Sequence, residues 1–170
     1  MRGPSLVLPR PASRLGIHGA KSSDKIGMVT TAAASAHPLV LYRPSARADD
    51  ALRRLCQAAR GRGGRVTVLA LAVEERPSSR CCDTRSLLWN RICGDMARED
   101  LARAARVVDR HPDVDFGVIV ARGGRAAEAL ADEALARGAD QIILADARKS
   151  RLGALERRRL RRTSPVPVSG

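Results

Sequence analysis

Aromatic residues are almost absent from this sequence, whose 170 residues include one Trp, one Tyr and one Phe. Proteins that bind RNA or single-stranded DNA stack the bases on aromatic side chains, so this scarcity argues against that class. Hydrophobic residues nevertheless make up 44% of the chain. We therefore predict a core of Leu, Val, Ile and Ala side chains, in one domain with a tail.

Cysteine motifs are also lacking. The four cysteines, Cys56, Cys81, Cys82 and Cys93, form no CxxC pair, and no pair of histidines follows at zinc-ligand spacing, so we predict no metal site. The adjacent Cys81 and Cys82, together with Cys93, could form a thiol sensor if their surroundings lower the thiol pKa. The alternative is that Cys81 and Cys82 are ordinary loop thiols and that Cys56 and Cys93 are small apolar helix residues.

Long hydrophobic runs are missing as well. No stretch reaches the roughly 18 apolar residues of a membrane helix, and Pro9 interrupts the short apolar run 6–8 near the N-terminus. We therefore expect a cytoplasmic protein with no membrane contact. Residues 1–37 are predicted to be a disordered N-terminal extension, residues 38–170 to form the domain, and Met28 could be the true start.

The formal net charge of +13 is concentrated at the ends of the chain, and residues 148–170 hold eight basic residues against one acidic residue. Such a cluster could contact nucleic acid or another polyanion, and it is this chain's second candidate function. The alternative is a solvated helix face in an arginine-rich sequence. The candidate anion contacts are Arg157, Arg158, Arg159, Arg161 and Arg162.

Five apolar runs predict five strands, at 39–42, 66–73, 114–120, 142–145 and 166–168. Segments with helical spacing separate them, and the alternation predicts an α/β three-layer sandwich with a five-stranded parallel sheet. The second helix is expected to begin near Ser86 as its cap. Its predicted buried stripe is Leu88, Ile92, Met96, Leu101, Ala104, Ala105 and Val108, with Trp89 at the border.

Three segments resemble the universal stress protein family. They are Gly124-Arg-Ala-Ala-Glu-Ala-Leu130, Ala136-Arg-Gly-Ala-Asp-Gln-Ile-Ile-Leu144 and Pro165-Val-Pro-Val168, and the similarity extends over about 38–168. The resemblance implies the adenine-nucleotide alpha-hydrolase-like fold of these proteins. It also implies a non-enzymatic regulatory or stress-response module, and His18, His37 and His111 offer no catalytic group near a nucleophile.

Nucleotide-binding members of the family carry an Asp after the first strand and a Gly-x2-Gly-x9-Gly-Ser/Thr loop after the fourth, whose amides hold the phosphates. Arg43 stands at the position of the Asp, and Ala145 and Arg148 stand at the first two glycines of the loop. The final Gly-Ser/Thr pair falls on Arg158 and Arg159. In a shorter alignment it falls on Gly153 and Ala154 instead. Ser45 completes this degenerate site. We therefore expect ATP binding to be weak or absent, with no cofactor, although arginine could hold a phosphate by its charge.

In the resembled family the closing strand often pairs with its copy in a second subunit. Here Val166 and Val168 would lie at that dimer edge, where Pro167 removes an amide donor. The neighbouring arginines would repel their copies at low salt. The resemblance therefore implies a weak homodimer that tightens as salt rises.

Overall fold

The computed structural model describes residues 37–76, 84–109 and 113–170. The strands are β1 (Pro38–Leu41), β2 (Val66–Glu74), β3 (Val114–Arg122), β4 (Gln141–Leu144) and β5 (Val168–Ser169). The helices are α1 (Ala46–Arg60), α2 (Thr84–Val107), α3 (Ala126–Ala136) and α4 (Ala154–Thr163). Cys81, Cys82, His18, His111 and the predicted N-terminal extension, apart from His37, lie outside the described residues.

The five strands form one sheet in the order β3-β2-β1-β4-β5, and every neighbouring pair is parallel. The predicted α/β fold class is confirmed. The centre of the sheet is β1, where Leu39 lies beside Thr67 on one side and Ile142 on the other. Both β1 and β4 are buried along their whole length, as expected of largely apolar strands at the centre of a parallel sheet.

Helices cover both faces of this sheet. On one face Leu39 and Leu69 pack in a cluster with Leu130 of α3 and Leu160 of α4. On the other face Val40 and Val68 pack in a cluster with Leu52 of α1. Successive strand residues point to opposite faces, so β1, β2 and β4 contribute to both clusters. A three-layer sandwich results.

The predicted buried stripe of α2 is wrong in the first half of the helix and at Ala105, which is exposed. In the first half Cys93 and Ala97 are buried, whereas Leu88, Ile92 and Met96 are exposed by 59%, 40% and 41%. The small Cys93 and Ala97 pack on Ala70 and Ala72 of β2, which places the small side chains of both elements in contact. The larger side chains therefore lie on the flanks of α2.

The limits of two elements also differ from the prediction. The helix α2 begins at Thr84, so Ser86 is a buried residue inside it rather than its cap. The strand β5 begins at Val168 rather than at Val166, because Ser164 holds both the amide and the carbonyl of Val166 in a turn. Pro167 also lacks an amide that could join the ladder.

None of the helices within residues 37–76, 84–109 and 113–170 is both long enough and apolar enough to cross a bilayer.

Candidate functional site

The strand order reverses between β1 and β4, because the chain first builds β2 and β3 on one side of β1 and then β4 and β5 on the other. In open α/β sheets, ligands bind outside the carboxyl ends of the strands at this switch point. We call this space the switch-point crevice. It is bordered by residues 42–45 after β1 and by the β4–α4 loop, residues 145–153.

Ser45 joins the two borders. It is the N-cap of α1, where its Oγ accepts a hydrogen bond from the amide of Ala48 at 3.1 Å. The same hydroxyl donates to Oδ2 of Asp146 at 2.9 Å. Beside it, the exposed Arg43 donates from Nη1 to the carbonyl of Lys149 at 2.9 Å. Two of the residues predicted for a nucleotide site thus hold the β4–α4 loop in place.

Asp146 organises that loop from within. It is buried, and its Oδ1 accepts a hydrogen bond from the amide of Arg148 at 3.1 Å. Its own carbonyl accepts from the amides of Lys149 and Ser150 at 3.1 and 2.8 Å. Burial alone would raise the pKa of Asp146, but the hydrogen bonds from Ser45 and from the loop amides hold it below its usual range. The carboxylate is therefore ionised at neutral pH.

Arg157 fixes the other end of the loop. From the first turns of α4, its Nη1 donates to the carbonyls of Ala147 and Leu152 at 2.9 and 2.8 Å. Gly153 is the N-cap of α4 and provides no side-chain cap, and Ala154 is the first residue of the helix. Because the loop is bonded at both ends to its own chain, a ligand would have to displace these bonds to reach its backbone.

Arg151 occupies the crevice itself. Its Nη1 donates to the carbonyl of Leu71 at 3.2 Å, and its Nη2 lies 3.6 Å from Oδ2 of Asp100 on α2. Leu69 of β2 is the register partner of Leu41, the last residue of β1, and Leu71 lies two residues further along β2. Arg151 follows β4, on the other side of β1. To reach Leu71, its side chain therefore passes over the carboxyl end of β1. The side chains of Arg151 and Asp100 are only 14% and 18% exposed. Arg151 therefore closes the crevice from the inside.

A second hydrogen-bonded group begins at Tyr42, the residue that follows β1. The hydroxyl of Tyr42 donates to Oδ1 of Asp49 at 2.5 Å, and Arg103 donates from Nη2 to Oδ2 at 2.8 Å. Burial, followed by the bond to Asp49, raises the pKa of Tyr42. Although burial raises the pKa of Asp49, the bonds from Arg103 and Tyr42 outweigh it, and the pKa is lowered overall. This group ties β1 and α1 to α2.

Structural comparison identifies proteins of the same architecture. A protein of the universal stress protein family from Burkholderia pseudomallei is 21% identical, with a TM-score of 0.54 over 79% of this chain and 93% of that chain. The universal stress protein UspA from Lactobacillus plantarum is 14% identical, with a TM-score of 0.59 over 78% of this chain and 94% of that chain. The chain has the universal stress protein fold.

The family resemblance is thus confirmed at the level of the fold. No protein-family model matches the sequence, and no curated protein matches it. These identities are low enough that the comparisons establish the architecture alone, and the properties of the site depend on its own geometry.

Within this universal stress protein fold, the predicted site residues fall into two groups. Arg43, Ser45, Ala145 and Arg148 meet at the crevice, with Ala145 buried directly after β4, and Gly153 and Ala154 lie at the end of the same loop. In the arginine cluster, Arg159 is bonded to Glu128, and Arg161 donates to the carbonyl of Gly170 at 2.9 Å. Arg157 holds the loop. Only Arg158 and Arg162 of this cluster have no partner among the described residues.

Three other predictions are affected by the structure. Cys93 is 5% exposed, so the thiol-sensor hypothesis loses this member, while Cys81 and Cys82 lie outside the described residues. Val166 and Val168, the predicted dimer edge, are partly buried against the core cluster of α3 and α4. In the part of the chain that the structure describes, no three His, Cys, Asp or Glu side chains are grouped to hold a metal ion.

Sequence reasoning missed the residues that close the crevice, namely Asp146, Arg151 and Asp100. A signal for Asp146 exists, because an Asp in a turn commonly bonds to an amide two residues on. No local signal exists for Arg151, since its partners are 80 and 51 positions away in the sequence. The resemblance named residues that lie at this crevice, whereas Asp146, Arg151 and Asp100 were not predicted.

Proposed function

We propose that this chain is a non-enzymatic regulatory module of the universal stress protein type that acts without a bound ATP. The observation that carries the proposal is the closed state of the switch-point crevice. Arg151 lies across the carboxyl end of β1, on the carbonyl of Leu71 and on Asp100. The position that a ligand needs is filled by the chain itself.

Electrostatics supports the same proposal. Phosphate groups bind where backbone amides point freely at the ligand. In the β4–α4 loop the amides of Arg148, Lys149 and Ser150 already donate to Asp146. The ionised carboxylate of Asp146 would also repel a phosphate placed at these amides. The amides of these three residues are therefore not free to hold a triphosphate.

Isothermal titration calorimetry of the full chain with ATP tests the proposal. We expect no saturable heat up to about 1 mM ATP, which corresponds to binding weaker than roughly 4 kcal/mol. The variant Arg148→Gly should behave like the wild type, because Asp146 and Arg151 remain in place. Micromolar ATP binding by the wild-type chain would refute the proposal.

A second variant asks whether the closing residues are responsible. In Asp146→Gly/Arg151→Ala the crevice loses both its side-chain plug and its internal carboxylate, so any residual affinity for ATP should increase. Arg54→Ala is the matched control for the loss of an arginine, because Arg54 is an exposed residue of α1 outside the crevice. If the double variant and the wild type are equally unable to bind, the length of the loop rather than its side chains excludes ATP.

A contact with a polyanion is the second candidate, and it depends on Arg158 and Arg162. Both are exposed on α4, whereas Arg157, Arg159 and Arg161 are engaged within the chain. Binding to duplex DNA or heparin should then weaken steeply with salt and should be reduced by Arg158→Gln/Arg162→Gln. The same charge removed at Arg54 and Arg60 of α1 should have less effect. Equal losses in the two double variants would indicate attraction by net charge only.

A further inference from the structure

Exposed apolar side chains are concentrated in the first half of α2. Ten large hydrophobic side chains are exposed among the residues that the structure describes, and five of them are Leu87, Leu88, Trp89, Ile92 and Met96. Single exposed hydrophobic residues are common on protein surfaces, whereas a contiguous apolar patch marks an interaction site. The patch includes the one Trp of the chain, and Trp is enriched among the residues that dominate binding energy at interfaces.

Four of these side chains lie along one flank of α2. Trp89, Ile92 and Met96 follow one another at intervals of three and four residues, so they share one side of the helix, and Leu88 lies at its margin. The five positions from Leu87 to Ile92 turn the helix by about 140°, so Leu87 lies on a different side. We call Leu88, Trp89, Ile92 and Met96 the α2 apolar flank.

The same side of α2 is covered further along the helix. Asp100 and Arg103 continue the spacing of the α2 apolar flank. Asp100 pairs with Arg151 of the β4–α4 loop. Arg103 pairs with Asp49 of α1. The flank therefore lies on the side of α2 that faces the switch-point crevice and its borders.

The flank is exposed because α2 extends past the end of β1. Ala104 packs in the cluster of Val68, near the start of β2. Cys93 packs with Ala72, further along that strand. The helix thus runs antiparallel to β2, and its first turns lie beyond Leu69, the residue of β2 beside the end of β1. The result is a groove whose wall is the α2 apolar flank and whose floor is the closed switch-point crevice.

The exposed charges on the inner side of this groove are basic. Four basic side chains are exposed on or beside the borders of the crevice: Arg43, Arg47, Arg148 and Lys149. Three carboxylates of the same region are largely buried and bonded within the chain: Asp49, Asp100 and Asp146. The basic side chains are therefore the ones that a second molecule meets.

The outer margin of the groove carries the opposite charge. Asp95 and Glu99 are exposed on the outward side of α2, next to the flank. Asp95 is paired with Arg98 at 2.6 Å. A partner with acidic side chains is thus attracted to the inner side of the groove and repelled at its outer margin, which fixes the orientation of the partner.

We propose that this groove binds an acidic amphipathic helix of a partner protein. The apolar face of that helix packs on the α2 apolar flank, and its carboxylates face the basic inner border. Helices pack through ridges of residues four apart, which is the spacing of Leu88, Ile92 and Met96. A helix also presents apolar and charged side chains on adjacent faces, as the flank and the border require. The proposal rests on the proposed function, because the closed crevice is the floor on which the partner lies.

Trp89 reports directly on this groove, because it is the one tryptophan of the chain and is 46% exposed. The probe is a synthetic helix of about 18 residues, with Leu on one face, Glu on the adjacent faces and Ala elsewhere. Its binding to the full chain should shift the Trp89 fluorescence to shorter wavelength, because the indole leaves water. An interface of this size is small, so we expect a dissociation constant of about 10–100 µM at low salt, rising with salt.

The charge of the probe is tested first. The same peptide with Lys in place of Glu should bind at least about tenfold more weakly. On the protein, Arg47→Gln/Lys149→Gln removes two basic side chains of the inner border and should weaken binding by about threefold or more. The control is Arg60→Gln/Arg62→Gln, which removes two exposed basic side chains at the other end of α1 and should have less effect.

The apolar contact is tested on α2 itself. Ile92→Gln should weaken binding of the probe by roughly tenfold. The matched control is Leu87→Gln, because Leu87 is 64% exposed on another side of the same helix, and this variant should bind like the wild type. Far-UV circular dichroism checks that each variant folds, and Met96→Gln replaces Ile92→Gln if that variant does not.

The proposal fails if the probe gives no saturable shift at up to about 1 mM. It also fails if the Lys peptide binds as tightly, or if Leu87→Gln and Ile92→Gln lose equal affinity. Acrylamide quenching of the free chain identifies the other occupants, and we expect Trp89 to be accessible at every chain concentration. Shielding at all concentrations would mean that another segment of this chain covers the flank. Shielding that grows with concentration would mean that a second copy does, and either result overturns the proposal.

Calorimetry with ATP keeps this test separate from that of the proposed function. If ATP binds and the probe still shifts the Trp89 fluorescence, the proposed function fails and the acidic helix remains the partner of the groove. If neither ATP nor the probe binds, the proposed function stands and the inference about the groove is overturned.

Discussion

The replacement Arg151→Ala tests the closed crevice through the stability of the fold. It removes the hydrogen bond to the carbonyl of Leu71 at 3.2 Å and the ion pair with Asp100 at 3.6 Å. Both charged side chains are more than four-fifths buried. The loss therefore cannot be discounted as that of a solvated surface pair.

We expect Arg151→Ala to lower the free energy of unfolding by about 2–3 kcal/mol at pH 7. A hydrogen bond from a charged group contributes about 1.5–3 kcal/mol, and removing one member of a buried pair leaves the other charge uncompensated. The remaining charge is that of Asp100, whose pKa is raised by burial even though the attraction of Arg151 lowers it. Without Arg151 this pKa should rise further.

The pH dependence of the loss has a definite sign. A carboxyl group whose pKa is higher in the folded than in the unfolded state destabilises the folded state when it is ionised. This penalty disappears as pH falls through the folded-state pKa, because the group takes up its proton. The penalty is larger in Arg151→Ala than in the wild type. The deficit of the variant should therefore be larger at pH 7 than at about pH 4.

Urea denaturation followed by circular dichroism, at both pH values, measures these free energies. A double-mutant cycle with Asp100→Asn isolates the pair, and we expect a coupling of about 1–2 kcal/mol. Asp100→Asn alone should also lower stability, because it leaves the buried charge of Arg151 without its acidic partner. A loss below about 0.5 kcal/mol with additive variants, which is typical of a surface residue, would refute the described position of Arg151.

Three further predictions concern the core, a thiol and a turn. Tyr42→Phe should cost about 1.5–3 kcal/mol in urea denaturation at pH 7, because the hydroxyl donates to an ionised Asp49 at 2.5 Å. Since folding lowers the pKa of Asp49, the stabilisation by this hydrogen bond is present above the unfolded-state pKa of Asp49 and is lost as pH falls through the folded-state pKa. If Tyr42→Phe lost the same free energy of unfolding at pH 7 and at pH 2, this reasoning would be contradicted. Burial raises the pKa of the Cys56 thiol to about 11, so the thiol should react slowly with iodoacetamide. After a pulse of this reagent, peptide mass spectrometry should find Cys56 unlabelled in the native protein and labelled in urea. Labelling of the native protein at the rate of a free thiol would show that Cys56 is accessible. Gly124 has a φ of 72°, so Gly124→Ala should lower the free energy of unfolding by about 1 kcal/mol and the melting temperature by about 4 °C. Gly153 is the control, because its φ is −61° and the space around it is open. Gly153→Ala should leave the melting temperature unchanged.

Much of the architecture follows from the sequence, because it depends on local patterns. The uninterrupted apolar run of β4 fits only a strand that is covered on both faces, and such strands need parallel neighbours and crossover helices. Glycines end helices and form turns at predictable places, as at Gly124 and Gly138 with their positive φ angles. The alternation of strand and helix therefore predicted the parallel sheet and its layers.

The tertiary structure alone decided which face of α2 is buried. Periodicity favoured the large residues Ile92 and Met96, yet the residues that pack against β2 are Cys93 and Ala97. Ala70 and Ala72 of β2 are small, so the tightest contact is made by small residues on the helix. That choice depends on the side chains of another element, which helical spacing in α2 cannot reveal.

The sequence by itself determined the residues that follow the first and fourth strands, among them Arg43, Ala145 and Arg148. Only the tertiary structure decided what occupies the crevice that they border, since Arg151 meets Leu71 and Asp100 across long sequence separations. Local patterns specify elements and their order, whereas contacts between distant side chains are fixed only when those elements pack together.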